Sequence, residues 1–283
     1  MNRVAIIGAG LIGGSFGLAL KKHDLARHIA GAGHSASTKR ALDLGAIDEA
    51  CDTVEAAVAN ADLVFLSAPV LAILDLLERV RAAAPPHAVV TDAGSTKERI
   101  AELAAKVFGD WGSRFIGGHP MAGREQRGVE AATATLFEGA TWALTPWRRA
   151  DLEWPAARAL VACIERLGAH PLILDAAVHD EIVAWTSHLP QLTASALAAT
   201  VAENLSDPED LKLAGAGLRD TTRLAGSSYR VWRDICLTND GNIQDALSAL
   251  IQKLETVRDN LKSRELEEVF HSAQQLRSRG NKD

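Results

Sequence analysis

A single imidazole, His119, stands in the run Gly117-Gly118-His119-Pro120-Met121-Ala122-Gly123. Its neighbours are small, and the glycines let backbone or a ligand come close. The apolar pair Phe115-Ile116 just before it reads as a strand end. A histidine so placed is either a proton acceptor working near neutral pH or a loop residue held by backbone hydrogen bonds. Near the start of the chain, Gly8-Ala9-Gly10-Leu11-Ile12-Gly13 has the spacing of a phosphate-cradling turn. Gly8 permits the tight turn, Gly10 lets backbone approach a pyrophosphate, and Gly13 lets the following helix pack closely on the strand. The first N–H groups of that helix then face the anion. Ser95-Thr96-Lys97-Glu98 is a capping-box pattern that makes Ser95 a helix N-cap, and a hydroxyl at a cleft rim can also meet a ligand. Arg219 and Arg223 are four apart, which predicts one helix face, and Asp220 is spaced to orient the Arg223 guanidinium. Arginine suits bidentate capture of a carboxylate, and the same spacing also occurs in solvated surface pairs.

The elements that must position these residues can be read from hydrophobic periodicity. Residues 3–7 form a β-branched run that leads straight into the glycine turn, and a helix follows over 15–22. Strand, turn and helix in that order are the context a dinucleotide fingerprint requires. Further strands are expected at 28–32, 63–67, 88–92 and 115–117, with helices between them, as at 71–83 and 97–108. The alternation predicts a Rossmann-type, doubly wound parallel sheet. In such sheets ligands sit beyond the carboxyl ends of the strands. The glycine loop, Ser67-Ala68-Pro69, the Asp92–Ser95 turn and the His119 segment all fall there, so one cleft should gather them. After residue 174 strand signals vanish. Helices are expected at about 177–203, 207–226, 229–238 and 242–278, the last one charged and frayed in the tail from residue 262 to 283. The chain therefore divides into a dinucleotide-binding domain, 1–174, and an all-helical domain, 175–283. Pro190 removes one helical hydrogen bond and strands the Thr186 carbonyl, so a kink belongs beside Ser187 and His188.

Composition narrows the function classes. The 283 residues are 47% hydrophobic and 23% charged, with a net charge of -6, so no basic field points to nucleic acid or a membrane surface. Cys51, Cys163 and Cys236 are far apart, show no metal-ligand spacing, and fit a reducing cytoplasm better than a disulfide framework. No apolar run is long enough to span a bilayer, and a signal peptide is not expected.

Five motifs occur in one order: Gly8-x-Gly10-x-x-Gly13, Asp92-x-Gly94-Ser95-x-Lys97, Gly118-His119-Pro120-Met121-x-Gly123, His188-Leu189-Pro190 and Arg219-Asp220-x-Thr222-Arg223. Together they resemble the prephenate/arogenate dehydrogenase family of tyrosine biosynthesis over nearly the whole chain. The resemblance implies oxidative decarboxylation of a cyclohexadienol that carries a ring carboxylate. His119 would accept the hydroxyl proton, and Ser95 would hold that hydroxyl or orient His119. Arg223, steadied by Asp220, would pair with a substrate carboxylate, and Trp232 and His188 match family residues near the substrate. A homodimer through the helical domain is also implied. The chain ends in a helix, so no C-terminal regulatory domain is expected, and tyrosine would inhibit by competition.

Two departures bear on specificity. Gln191 stands where many members have a second histidine tied to the substrate side chain. A neutral amide can accept from an ammonium or donate to a carbonyl, which tilts the expectation toward arogenate or dual use. Gly33 and His34 stand where an acidic residue normally binds the ribose hydroxyls of NAD. Ser35, Ser37, Thr38 and Lys39 or Arg40 could then hold a 2′-phosphate, so NADP is expected, with NAD open. Two other readings stay open. One is a dehydrogenase of the β-hydroxyacid or imine-reducing kind, which depends on a lysine in its second domain; Lys212 is the nearest candidate. The other is an NADP-sensing protein without turnover.

Overall fold

The computed structural model describes residues 1–109, 114–123, 126, 128–205 and 207–279. Eight strands form one sheet: β1 (Arg3–Ile7), β2 (His28–Ala32), β3 (Glu49–Ala50), β4 (Leu63–Leu66), β5 (Val89–Asp92), β6 (Phe115–Pro120), β7 (Thr141–Pro146) and β8 (His170–Ile173). Their order is β3-β2-β1-β4-β5-β6-β7-β8. Every pairing is parallel except β6 with β7, which is antiparallel. Side chains alternate across the pleat. Val4, Ile6, Leu63 and Phe65 enter one apolar core, while Ala5, Ile7, Val64 and Leu66 enter the other. Both faces are covered, which is why these strands are continuous apolar runs rather than alternating ones.

On the first face lie α1 (Leu11–Lys22) and α6 (Pro155–Arg166). Phe16, Phe65, Phe137 and Trp142 pack there as one aromatic cluster, with ring centroids 4.3 Å apart for Phe16–Phe65 and 5.0 Å for Phe137–Trp142. On the other face lie α3 (Val54–Val58), α4 (Val70–Ala83) and α5 (Glu98–Phe108), while α2 (Ser35–Asp43) follows β2.

The helical part comprises α7 (Ala176–Val183), a π-helical turn (Ala184–His188), α8 (Leu189–Asn204), a 3₁₀ turn (Pro208–Leu213), α9 (Ala216–Thr222), a second 3₁₀ turn (Arg223–Gly226), α10 (Tyr229–Thr238), α11 (Asp240–Asp259) and α12 (Glu265–Arg279). The wide π turn ends where Pro190 would otherwise break the ladder, at the place expected for a kink.

The structure corrects several sequence expectations. Helix α1 begins at Leu11, directly on the glycine turn, not at residue 15. Strand β6 runs on to Pro120, so His119 is a strand residue and not a loop residue; its register partner is Ala143 of β7. The antiparallel neighbour supplies the ladder that carries two glycines into the strand, and β7 was not foreseen. The helix expected over 207–226 is three pieces. Thr221 and Thr222 bond back to the carbonyls of Gly217 and Leu218, which loosens a helix end. Arg223 therefore opens the 3₁₀ turn instead of sharing the Arg219 helix face. The helix expected over 242–278 breaks at Asn260, whose side chain caps α11 through the Thr256 carbonyl. Residues 280–283 of the expected charged tail lie outside the described residues. Among the described residues no helix is long and apolar enough to cross a membrane.

Candidate active site

The glycine turn is built by contact. Gly8 has φ +99°, and a Cβ on it would meet the Ser67 carbonyl oxygen at 2.6 Å. A Cβ on Gly13 would stand 2.2 Å from the Gly8 carbonyl oxygen, whereas one on Gly10 would meet nothing within 4 Å. Gly8 and Gly13 are thus required by the fold, and Gly10 faces open space where a pyrophosphate can lie against backbone. Ser67 at the end of β4 locks the turn by donating to the Gly8 carbonyl at 2.7 Å.

Two cavities meet at this turn. One, of about 660 Å³, includes Gly8, Gly10, His34 and Ser37 together with Ser67-Ala68-Pro69. The other, of about 510 Å³, takes in Gly10, Leu11, Ile12, Ser67-Ala68-Pro69 and Ser95 from the sheet side, and Arg223 and Trp232 from the helical side. The fold thus brings most of the expected residues together. The first cavity has nucleotide dimensions and an open glycine edge, so a dinucleotide fits the residues present.

Some expected residues sit elsewhere, and neither His119 nor His188 lines either cavity. Thr38 is buried, and its hydroxyl donates to the His34 carbonyl at 3.1 Å, so it is spent inside α2. Ser35 and Lys39 are exposed on α2. Asp52 and Asp75, which sequence reading passed over, line the nucleotide cavity. Arg219 and Asp220 are exposed on α9. Gln191 is buried behind the cavity wall. Its amide nitrogen donates to the Leu224 carbonyl at 2.7 Å and the Ser195 hydroxyl at 3.2 Å, and its oxygen accepts from the Ser227 hydroxyl at 3.0 Å. It therefore pins the turn that carries Arg223. Ser95 lines the cavity but is not a cap: α5 starts at Glu98, with Lys97 as its N-cap residue. Asp180 of α7 does the capping instead, accepting from the Lys97 and Glu98 amides at 2.7 and 2.9 Å.

That same carboxylate opens a chain toward His119. His179 Nδ1 lies 2.7 Å from Asp180 Oδ1, and His179 Nε2 lies 2.9 Å from His119 Nδ1. A carboxylate oxygen only accepts, so His179 carries its hydrogen on Nδ1 and presents a lone pair at Nε2. His119 must then donate from Nδ1, which leaves its own Nε2 as the basic atom. Burial first, and then the charges of His179, Lys97 and His188, hold the His119 imidazole well below the ordinary histidine range. It is a neutral base at neutral pH.

Strand β6 is anchored beside this chain. Asp92 ends β5 and accepts from the Gly118 amide at 3.0 Å and the Gly94 amide at 2.8 Å. The fully buried Lys97 ammonium pairs with Asp92 and donates to the Gly118 carbonyl at 2.8 Å. Two buried side chains, Asp92 and Lys97, thus fix the backbone of Gly118 immediately before His119. The sequence shows the Asp92 and Lys97 motif but not this use, and nothing in it signals the adjacent His179 and Asp180. Among the described residues no group of histidines, cysteines and carboxylates is arranged to hold a metal.

On the helical side, His188 is buried with its ring edge toward Trp232, centroids 5.7 Å apart at 86°. Burial takes its pKa down to about 4. A glycine-turn nucleotide cavity that opens into a second cavity shared with a helical domain, together with a neutral imidazole in a His–Asp chain, is the build of an NAD(P)-dependent oxidoreductase.

The sequence pattern described as "Prephenate dehydrogenase, nucleotide-binding domain" matches residues 16–171, and "Prephenate dehydrogenase, dimerization domain" matches residues 175–275. The chain belongs to the prephenate dehydrogenase family. It is 35% identical over 273 residues to a prephenate dehydrogenase of Bacillus subtilis, covering 95% of this chain and 72% of that protein. A prephenate dehydrogenase of A. aeolicus, solved in complex with hydroxyphenyl propionate and NAD+, superposes with a TM-score of 0.87 at 31% identity, covering 99% of this chain and 97% of that one. An arogenate dehydrogenase of Synechocystis gives 0.80 at 30% identity, covering 98% and 99%.

Proposed function

We propose that this enzyme oxidatively decarboxylates a cyclohexadienol, arogenate or both arogenate and prephenate, in tyrosine biosynthesis. The observation that carries the reading is the His119–His179–Asp180 chain, whose first member sits on β6 just before Ala122 and Gly123, which line the cavity shared by the two halves. His119 Nε2 takes the proton of the ring hydroxyl as the carbinol carbon gives up its hydride. The bond from the ring to its carboxylate then breaks, carbon dioxide leaves, and that electron pair completes the aromatic ring. The nicotinamide, when bound, supplies the hydride acceptor. His179 and Asp180 stabilise the imidazolium that forms, because each link gains charge assistance as the proton arrives. Ser95 at the cavity wall holds the hydroxyl, and Arg223 captures a substrate carboxylate with a guanidinium fork.

Finer specificity rests on two positions. Gly33, at φ +146°, leaves the end of β2 without a side chain, and His34 makes no side-chain cap on α2. The first amides of α2 and the Ser35 and Ser37 hydroxyls support NADP as the preferred cofactor; Asp52 and Asp75 in the same cavity act against it. Gln191 supports arogenate or dual use, acting on the substrate side chain through Ser227 rather than by direct contact. We also place the domain boundary at 174/175 and a homodimer through the helical domain, supported by exposed apolar side chains such as Ile251, Leu254 and Phe270 and by the matched dimerization pattern.

The test is a matrix of arogenate and prephenate against NADP and NAD, followed by cofactor reduction. Turnover of arogenate with NADP at the highest kcat/KM is expected. No reduction with either cyclohexadienol would refute the reaction, and a preference for prephenate or NAD would refute the corresponding half of the specificity.

A further inference from the structure

Asn239 sits between α10 and α11, where it is 4% exposed. Its side-chain nitrogen lies 2.8 Å from the Asp180 carbonyl oxygen and 3.2 Å from His188 Nδ1. A carbonyl can only accept, so the atom facing Asp180 is the NH₂ end of the amide. That nitrogen has two hydrogens and no acceptor capacity. One hydrogen is given to Asp180, and the second points at His188. Nδ1 of His188 must therefore offer a lone pair, and the one hydrogen left on the ring is at Nε2. The amide oxygen is engaged in turn by the Asn242 side chain at 2.8 Å, which steadies the orientation.

We propose that Asn239 is a positioning residue that fixes His188 as a neutral Nε2–H donor, so that His188 presents an uncharged hydrogen to an acceptor oxygen of the substrate. The role for His188 rests on the proposed reaction; the tautomer does not. An imidazolium at His188 would set an Nδ1–H against the Asn239 N–H, so this contact opposes protonation in the same direction as burial does. The arrangement also links His119 and His188 to one residue. The Asp180 side chain directs His179 and His119, and the Asp180 carbonyl directs Asn239 and His188. The competing account is that Asn239 only joins two helices, since its backbone amide donates to the Ile235 carbonyl and its carbonyl accepts from Ile243.

The experiment is nitrogen NMR on the full-length enzyme labelled in histidine, with the His188 signals assigned by their loss in His188→Gln. The wild-type ring should show an unprotonated Nδ1 and a protonated Nε2. Asn239→Asp keeps the shape but cannot donate, so His188 should gain a hydrogen at Nδ1. KM for the cyclohexadienol should then rise about tenfold, the value of one hydrogen bond, with cofactor Kd within about twofold. A wild-type ring protonated at Nδ1 would overturn the proposal. So would an Asn239→Asp enzyme with unchanged tautomer and KM. The wild-type spectrum decides the matter even if the variant fails to fold. It also separates this proposal from the proposed reaction, because the tautomer is read without substrate.

Discussion

His119 gains its chemistry from two bonds it does not own. The His179–Asp180 link fixes its hydrogen on Nδ1 and frees Nε2, while Lys97 and Asp92 hold the strand that carries it. His119→Asn should abolish turnover and leave cofactor Kd within a few-fold, measured by fluorescence titration; retained turnover would remove it as the base. His179→Gln interrupts the chain without touching the α5 cap, and kcat should fall about a hundredfold, the ordinary worth of a positioned acid–base group. In Asp180→Asn, both side-chain oxygens of the wild type face N–H donors, so the new NH₂ meets a donor whichever way it turns. Both kcat and Tm should drop, the second by the loss of a helix cap, about 1 kcal/mol. His119, the proposed base, stood out in the sequence because the glycines around it are local. Its partners were not, since His179 and Asp180 lie on another element some sixty residues on, and no spacing rule reaches that far.

At the level of elements, the glycine turn was readable for the same reason: fingerprint, strand and helix are contiguous. The structure separates the glycines by role. Gly13→Ala puts a Cβ against the backbone oxygen of Gly8 at 2.2 Å, and backbone cannot yield cheaply. It should lower stability by about 1–3 kcal/mol and weaken the cofactor. Gly10→Ala meets nothing within 4 Å, so its Tm should stay near wild type while cofactor affinity falls. Equal Tm losses in the two variants would contradict the assignment. The Ser95 cap shows where local reading fails. A serine three before a glutamate is a good cap pattern, yet a carboxylate from α7 already satisfies the amides at the start of α5, and the serine is released to the cavity. Likewise β7 could not be seen in the His119 segment, because an antiparallel partner leaves no mark on the strand it joins.

For the whole molecule, one cavity lies between the two halves, and polar contacts join them. Thr96 and Thr238 share a hydrogen bond of 2.7 Å, Leu71 at the start of α4 donates to Asp234 of α10 at 3.4 Å, and His119 meets His179 across the same seam. The pKa values of His119 and His188 are lowered in the folded enzyme, that of His188 to about 4. Between their ordinary value near 6.5 and those lowered values, the unfolded chain binds protons that the folded enzyme refuses. Their contribution to stability is therefore complete above about pH 6.5 and is lost as pH falls toward 4, at up to roughly 1.4 kcal/mol per pH unit for His188. Thermal melts from pH 7 to pH 4.5 should show Tm falling throughout this window, and His188→Gln should flatten part of the decline. A Tm constant across the window would contradict the burial of neutral histidines.

Asp180 has a consequence for inheritance. The carboxylate that completes a helix in the nucleotide-binding half also orients His179 and, through it, His119, and it is supplied by the other half. A recombinant whose helical half lacked a carboxylate at this position would lose a helix cap and the orientation of His179 together.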